Sequence, residues 1–141
     1  MSLDNVETVR QWVEQFARRT AGPDIQAFVS EFWDPDGDYY PLRKFPDAHP
    51  RHGAEDIASF YASYAESWDA YENVIVKIEP IGDDRVFVHT RLTAEGHGTG
   101  LPVEGDLYHC AWLRHGRILR CEDHLTEAGA RAALGLTATA P

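Results

Sequence analysis

The sequence predicts an α+β fold: a cone-shaped, strongly bent antiparallel sheet wrapped round N-terminal helices, with a deep pocket inside. Three observations predict it. Apolar residues recur at helical spacing early in the 141-residue chain. Long alternating stretches joined by tight turns fill its second half. A short strand signal sits between the second and third helical segments. Helices gathered on one face of an antiparallel sheet make a layered α+β domain. A bent sheet around a long helix leaves a cone with an open mouth.

The first helix is read from Val6, Val9, Val13 and Phe16, with Trp12 beside them. Ala21-Gly22-Pro23 stops it, and Asp24 is placed to cap the next. Ile25, Phe28, Val29 and Phe32 give the second helix its stripe. Asp34-Pro35-Asp36-Gly37 is turn chemistry, and Asp38-Tyr39-Tyr40 a short strand closed by Pro41. Residues 41–53 carry Pro41, Pro46 and Pro50 and are expected to be irregular. Gly53 precedes a third helix, with Ile57, Phe60, Tyr61, Tyr64 and Trp68 on one face. Strands are expected over 71–81, 85–95, 103–114 and 117–125. In the first of these, Val74, Val76 and Ile78 share a parity. Asp83-Asp84 and His115-Gly116 are hairpin turns, and 96–100 is a flexible glycine-rich connection. Thr126 caps a short last helix. With no repeat or linker, residues 1–141 are expected to form one domain.

Composition narrows the function. Hydrophobic residues are 43% and charged residues 26%, ordinary for a globular protein. Thirteen basic against twenty-three acidic residues give a net charge of −10. Such a surface repels phosphate backbones and anionic lipid, so neither nucleic acid nor membrane is the expected partner. Without an apolar N-terminal segment and with two cysteines, the chain is expected to be cytoplasmic with free thiols. Cys110 and Cys121 fall on opposite faces of neighbouring strands, which forbids a bridge.

Phe32-Trp33-Asp34-Pro35-Asp36, Arg51-His52-Gly53, the hairpin Trp112 to Ile118 and then Glu122-Asp123-His124 carry a resemblance over nearly the whole chain. It is similar to the SnoaL-like branch of the nuclear transport factor 2-like (cystatin-like α+β cone) superfamily. The fold that this resemblance implies hosts isomerases, cyclases, dehydratases, epoxide hydrolases and binding proteins. The ketosteroid isomerase base would fall where Tyr40 stands before Pro41, so that base is absent. The isomerase oxyanion acid matches His109. The epoxide-hydrolase positions match His89-Thr90-Arg91 and Glu122-Asp123-His124, retaining Asp123 in kind. A scytalone-dehydratase-like set would be His89, His109, Tyr40 and Asp123.

Strand parity alone places titratable groups on largely apolar faces: His89 with Arg91, His109 with Leu107, Ala111 and Leu113, and Asp123 with Leu119, Cys121 and Leu125. Ionisable groups there need partners. Taken singly, each is simply explained as structural, with Arg91 and Asp123 as an ion pair. Taken together they point to a pocket. The favoured reading is a cofactor-independent acid–base enzyme acting on an oxygenated, moderately apolar ring compound. His89 and Asp123 would move the proton, and His109 and Arg91 would stabilise negative charge. Tyr39 and Tyr40 would orient the substrate, and Trp12, Phe16, Trp33, Tyr64 and Trp68 would wall it. The alternatives are a non-catalytic binding module and an assembly subunit. No metal is expected: Tyr39 and Phe45 break the calcium-loop pattern at 34–45, and His49 and His52 lack zinc-spaced partners, so they would rim the mouth. A homodimer is expected through an outer sheet face bearing Val86, Val88, Leu92, Tyr108 and Trp112.

Overall fold

The computed structural model describes residues 2–20, 23–42, 49–66, 68–96 and 102–136. The order is α1 (Ser2–Thr20), α2 (Ile25–Phe32), β1 (Trp33–Tyr40), β2 (Arg51–His52), α3 (Ala54–Glu66), β3 (Trp68–Ile81), β4 (Arg85–Gly96), β5 (Pro102–Arg114), β6 (Arg117–His124) and α4 (Glu127–Ala133). The strands form one open sheet in the order β2-β1-β6-β5-β4-β3. All neighbours are antiparallel except β1 and β6, which run parallel.

Local chemistry sets the element ends. Thr126 accepts a hydrogen bond from the Gly129 amide at 3.0 Å and starts α4, as its sequence position predicts. Asp24 stands at the α2 N-cap, but its carboxylate takes the Arg19 guanidinium at 2.5 Å instead of a backbone amide. His115 and Gly116 have φ of 53° and 76°, the two left-handed positions of a type I′ hairpin.

Several expectations change. The Asp34–Gly37 turn lies within β1, which starts at Trp33 and carries an irregularity before Asp38. Part of the stretch expected to be irregular is β2, which pairs Arg51 with Tyr39 and His52 with Asp38. Trp68 opens β3 and does not end α3. A bulge between Ile75 and Lys77 throws Val76 out, so Ile78 faces Val88 and Val74 faces Arg91 on the other side. A second bulge puts Ile118, in place of Leu119, opposite Leu113. Residues 43–48 and 97–100 lie outside the described ones.

The largest core forms between the inner sheet face and α1 to α3. It joins Val9, Trp12 and Val13, Phe28, Val29 and Phe32, and Ile57, Phe60 and Tyr61 to Val86, Val88, Ala111, Ile118 and Cys121. Directly paired residues share a face, so β4 turns Val86, Val88, Thr90 and Leu92 inward with Ala111, His109 and Leu107. Val86, Val88 and Leu92 are therefore core and not an outer dimer patch. The outer face is apolar too where α4 covers it: Phe87 and Cys110 are buried against Ala130 and Leu134. Cys110 and Cys121 are free and buried on opposite faces.

Gly37 marks a close approach inside β1. A Cβ there would sit 2.5 Å from Cε3 of Trp33, whose side chain has nowhere to go at 1% exposure. Gly37→Ala is expected to lower stability by about 1–3 kcal/mol through this overpacking. Urea unfolding checks it, and an unchanged midpoint would contradict the packing of Trp33.

Candidate functional site

β5 and β6 pair His109 with Asp123 across the inner face. Their side chains are 12% and 6% exposed, and His109 Nδ1 lies 2.6 Å from Asp123 Oδ1. The hydroxyl of Tyr39, delivered by β1 opposite Cys121, donates to Asp123 Oδ2. His109 Nε2 is 3.2 Å from the hydroxyl of Thr90, which β4 buries completely. Burial first, and the Asp123 charge second, push the Tyr39 phenol well above its ordinary range. Tyr39 therefore stays protonated and donates. A neutral His109 that donates from Nδ1 to Asp123 Oδ1 carries its lone pair on Nε2, where the Thr90 hydroxyl is placed to donate. The chain Tyr39–Asp123–His109–Thr90 is a connected polar network in an apolar wall.

Nδ1 of His109, Sγ of Cys121 and a carboxylate oxygen of Asp123 lie within 4.8 Å of one another, a grouping that a divalent ion could use. They already engage each other: the Cys121 thiol is 3.9 Å from Asp123 Oδ1, and burial drives its pKa well up, favouring the thiol over the ligating thiolate.

This network lies at one wall of a cavity lined also by Trp12, Val13, Phe16, Phe60, Tyr61, Tyr64, Asn73 and Leu107. Its volume is about 40 Å³. That is room for a water molecule or a small substituent and not for a ring. Phe16, Tyr64, Asn73, His109 and Asp123 are its partly exposed lining residues, so the cavity meets solvent there. Three lining residues hold buried polar atoms without a hydrogen-bond partner: Nε1 of Trp12, the hydroxyl of Tyr61 and Oδ1 of Asn73.

The structure divides the sequence-predicted residues. Asp123, His109, Trp12, Phe16, Tyr39 and Tyr64 meet at the cavity. Trp33 lies behind it, its ring 6.2 Å from Trp12 and 6.0 Å from Tyr39. Trp68 packs on Tyr64 at 6.0 Å without lining the space. His89 and Arg91 share a face, as expected, but it is the opposite one. His89 stacks on Tyr108 at 4.5 Å and meets Asp106 at 3.0 Å, while Arg91 pairs with Asp106 and Glu104. The Arg91–Asp123 ion pair of the purely structural alternative does not form, because the two side chains lie on opposite faces. Tyr40 also points away, under the Arg120 guanidinium at 4.5 Å. It lines a second cleft of about 470 Å³ with Leu42, Pro50, Glu122 and His124, and Asp123 borders both spaces. His52 meets Asp38 at 2.7 Å on the exposed side of β1 and β2, away from the cavity lining.

Sequence reasoning did not reach Thr90 or Asn73. Thr90 had a usable signal in retrospect: it alternates with Val86, Val88 and Leu92, all buried. Asn73 had none, because the bulge in β3 breaks the alternation beside it.

Comparisons with known proteins agree with this architecture. No curated protein sequence matches. A protein from Jannaschia sp. CCS1, provisionally named a SnoaL-like polyketide cyclase, is 20% identical with a TM-score of 0.75, covering 99% of this chain and 95% of that one. A hypothetical protein of ketosteroid isomerase-like fold from Catenulispora acidiphila, solved with trimethylamine, is 19% identical at TM-score 0.71, covering 96% and 97%. TerC, co-crystallised with polyporic acid, is 20% identical at TM-score 0.73, covering 94% and 98%. At these identities the likeness establishes the fold. The SnoaL-like domain profile matches residues 9–121, most of the chain, taking in Tyr39, Thr90 and His109 and ending two residues before Asp123, and by that match the chain belongs to the SnoaL-like domain family.

Proposed function

We propose that the chain is a cofactor-independent small-molecule enzyme of general acid–base type: an isomerase, cyclase, dehydratase or hydrolase. Its substrate would be an oxygenated, moderately apolar ring compound. The observation that carries this reading is the 2.6 Å His109–Asp123 contact beside an aromatic-walled cavity. The name of the Jannaschia relative and the polyporic acid co-crystallised with TerC point the same way.

In this mechanism His109 Nε2 takes the substrate proton, and the Asp123 carboxylate steadies the imidazolium that forms. Tyr39 fixes Asp123 from behind, and the Thr90 hydroxyl turns away from Nε2 as the substrate arrives. The cavity must widen to admit a ring, and Phe16 and Tyr64, only partly buried, are the side chains placed to yield. The Catenulispora neighbour, solved with a bound small molecule and named for its fold alone, supports one second reading, a module that binds a ligand without transforming it.

The experiment that separates them follows hydrogen–deuterium exchange by NMR in a panel of cyclic ketones and enols. The parent is expected to catalyse exchange next to the carbonyl, and His109→Gln to lose about 10²–10⁴-fold of it. Binding of panel members with no exchange and no conversion would leave the binding module standing.

A homodimer through the outer face is a separate proposal. Tyr108 and Trp112 lie on that face, and Val74 there is 51% exposed. Sedimentation at micromolar concentration is expected to read twice the monomer mass, and monomer alone would remove the idea.

A further inference from the structure

Nothing in the proton-transfer network uses Trp12 or Asn73, yet each holds a buried polar atom without a partner beside the same small cavity. Trp12 is 4% exposed, so its indole N–H has no access to bulk water. The amide oxygen of Asn73, on β3, is likewise shut off. Native interiors rarely leave such groups unpaired, since each costs free energy until a partner arrives. The two are chemically complementary: an indole N–H only donates and an amide oxygen only accepts. A single ligand hydroxyl serves both, accepting from the indole and donating to the amide, and the third unpaired atom of the cavity, the Tyr61 hydroxyl, is a further donor that can turn to the same oxygen. A cavity of about 40 Å³ holds one such group. The indole of Trp12 also packs edge-on against the His109 ring at 6.3 Å, which puts this position beside the proton acceptor.

We propose that Trp12 and Asn73 read a hydroxyl on the substrate, the indole N–H donating to its oxygen and the Asn73 carbonyl accepting its proton. This rests on the cavity being the ligand site proposed above and narrows the ligand class to alcohols, phenols or enols. An ether or ketone satisfies Trp12 alone. A methyl group in the same place satisfies neither atom and leaves both stranded. Asn73 is thus a specificity-determining residue supplied by the strand that sequence periodicity describes least well.

The test uses phenol and toluene, two probes of nearly equal shape that differ by hydroxyl against methyl. Calorimetric titration of the parent is expected to show phenol binding roughly tenfold or more tightly than toluene, the preference a hydrogen-bonded pair of this kind confers. Asn73→Leu, similar in size without the acceptor, is expected to bring the two affinities within about twofold, and Asn73→Asp to restore the preference. Asn73→Leu is also expected to melt no lower than the parent, because it removes an unpaired buried acceptor. Equal affinities in the parent, the outcome if the two atoms hold only a resident water, would overturn the hydroxyl reading and leave the ligand site intact. A preference that survives Asn73→Leu, or a clear fall in its melting temperature, would overturn the role of Asn73. If neither probe binds at millimolar concentration, the cavity does not open to rings, and the ligand-site reading falls with it.

Discussion

Asp123→Ala is expected to lose both turnover and stability, because one carboxylate serves two buried donors. Without it the Tyr39 hydroxyl and the His109 Nδ1–H face an apolar wall. Each stranded donor costs about 1–3 kcal/mol, so the pair together should cost about 2–6 kcal/mol in denaturant unfolding. Asp123→Asn separates the two losses. The amide oxygen still accepts from Tyr39, and the amide NH2 turns to His109. Nδ1 must then accept, and the imidazole proton moves to Nε2, where the lone pair is needed. Stability should fall by only about 1 kcal/mol. Activity should fall by roughly 10³–10⁴-fold, the scale of a wrong imidazole tautomer in the Ser-His-Asp template. Nitrogen-15 NMR of the imidazole reads this change without any substrate. An unchanged tautomer in Asp123→Asn would remove Asp123 from its orienting role.

Trp33→Ala should produce the second large effect, and it is a stability effect. Trp33 is 1% exposed and stands edge-on to both Trp12 and Tyr39. Emptying that position should cost about 3–5 kcal/mol, by lost transfer energy and the cavity left behind. It also frees Tyr39 and Trp12 to move, so the polar network should loosen with it. Trp33→Phe keeps most of the packing and is expected to cost less, with phenol affinity close to the parent's. A selective change in affinity without loss of stability would instead make Trp33 a wall of the site, as its sequence position suggested.

His109 and Asp123 were legible in the sequence as members of apolar strand faces because the parity of their near neighbours on β5 and β6 holds up to the pair. Leu107, Ala111 and Leu113 carry the inner parity of one strand, and Cys121 that of the other. His89 and Arg91 were misplaced for a physical reason. Val86, Phe87 and Val88 are all fully buried, two against the inner core and one under α4. A strand apolar on both parities has no readable inner face, and assigning the wrong one inverts every residue on it. The same inversion turned core Val86, Val88 and Leu92 into an outer patch.

Propensity and periodicity by themselves determined the early helices, the Thr126 cap, the type I′ turn at His115-Gly116 and the meander of long strands. Each depends on residues a few positions apart, whose spacing is written in the chain. The tertiary structure alone decided which face of β4 looks inward, since that depends on α4 arriving from forty residues away to cover Phe87. It alone decided the bulges in β3 and β6, which trade one ladder position for sheet curvature. And only the packed structure brought Tyr39, Thr90, Trp12 and Asn73 from four separate elements around His109 and Asp123, because no local rule couples residues so distant in sequence until the sheet closes over the helices.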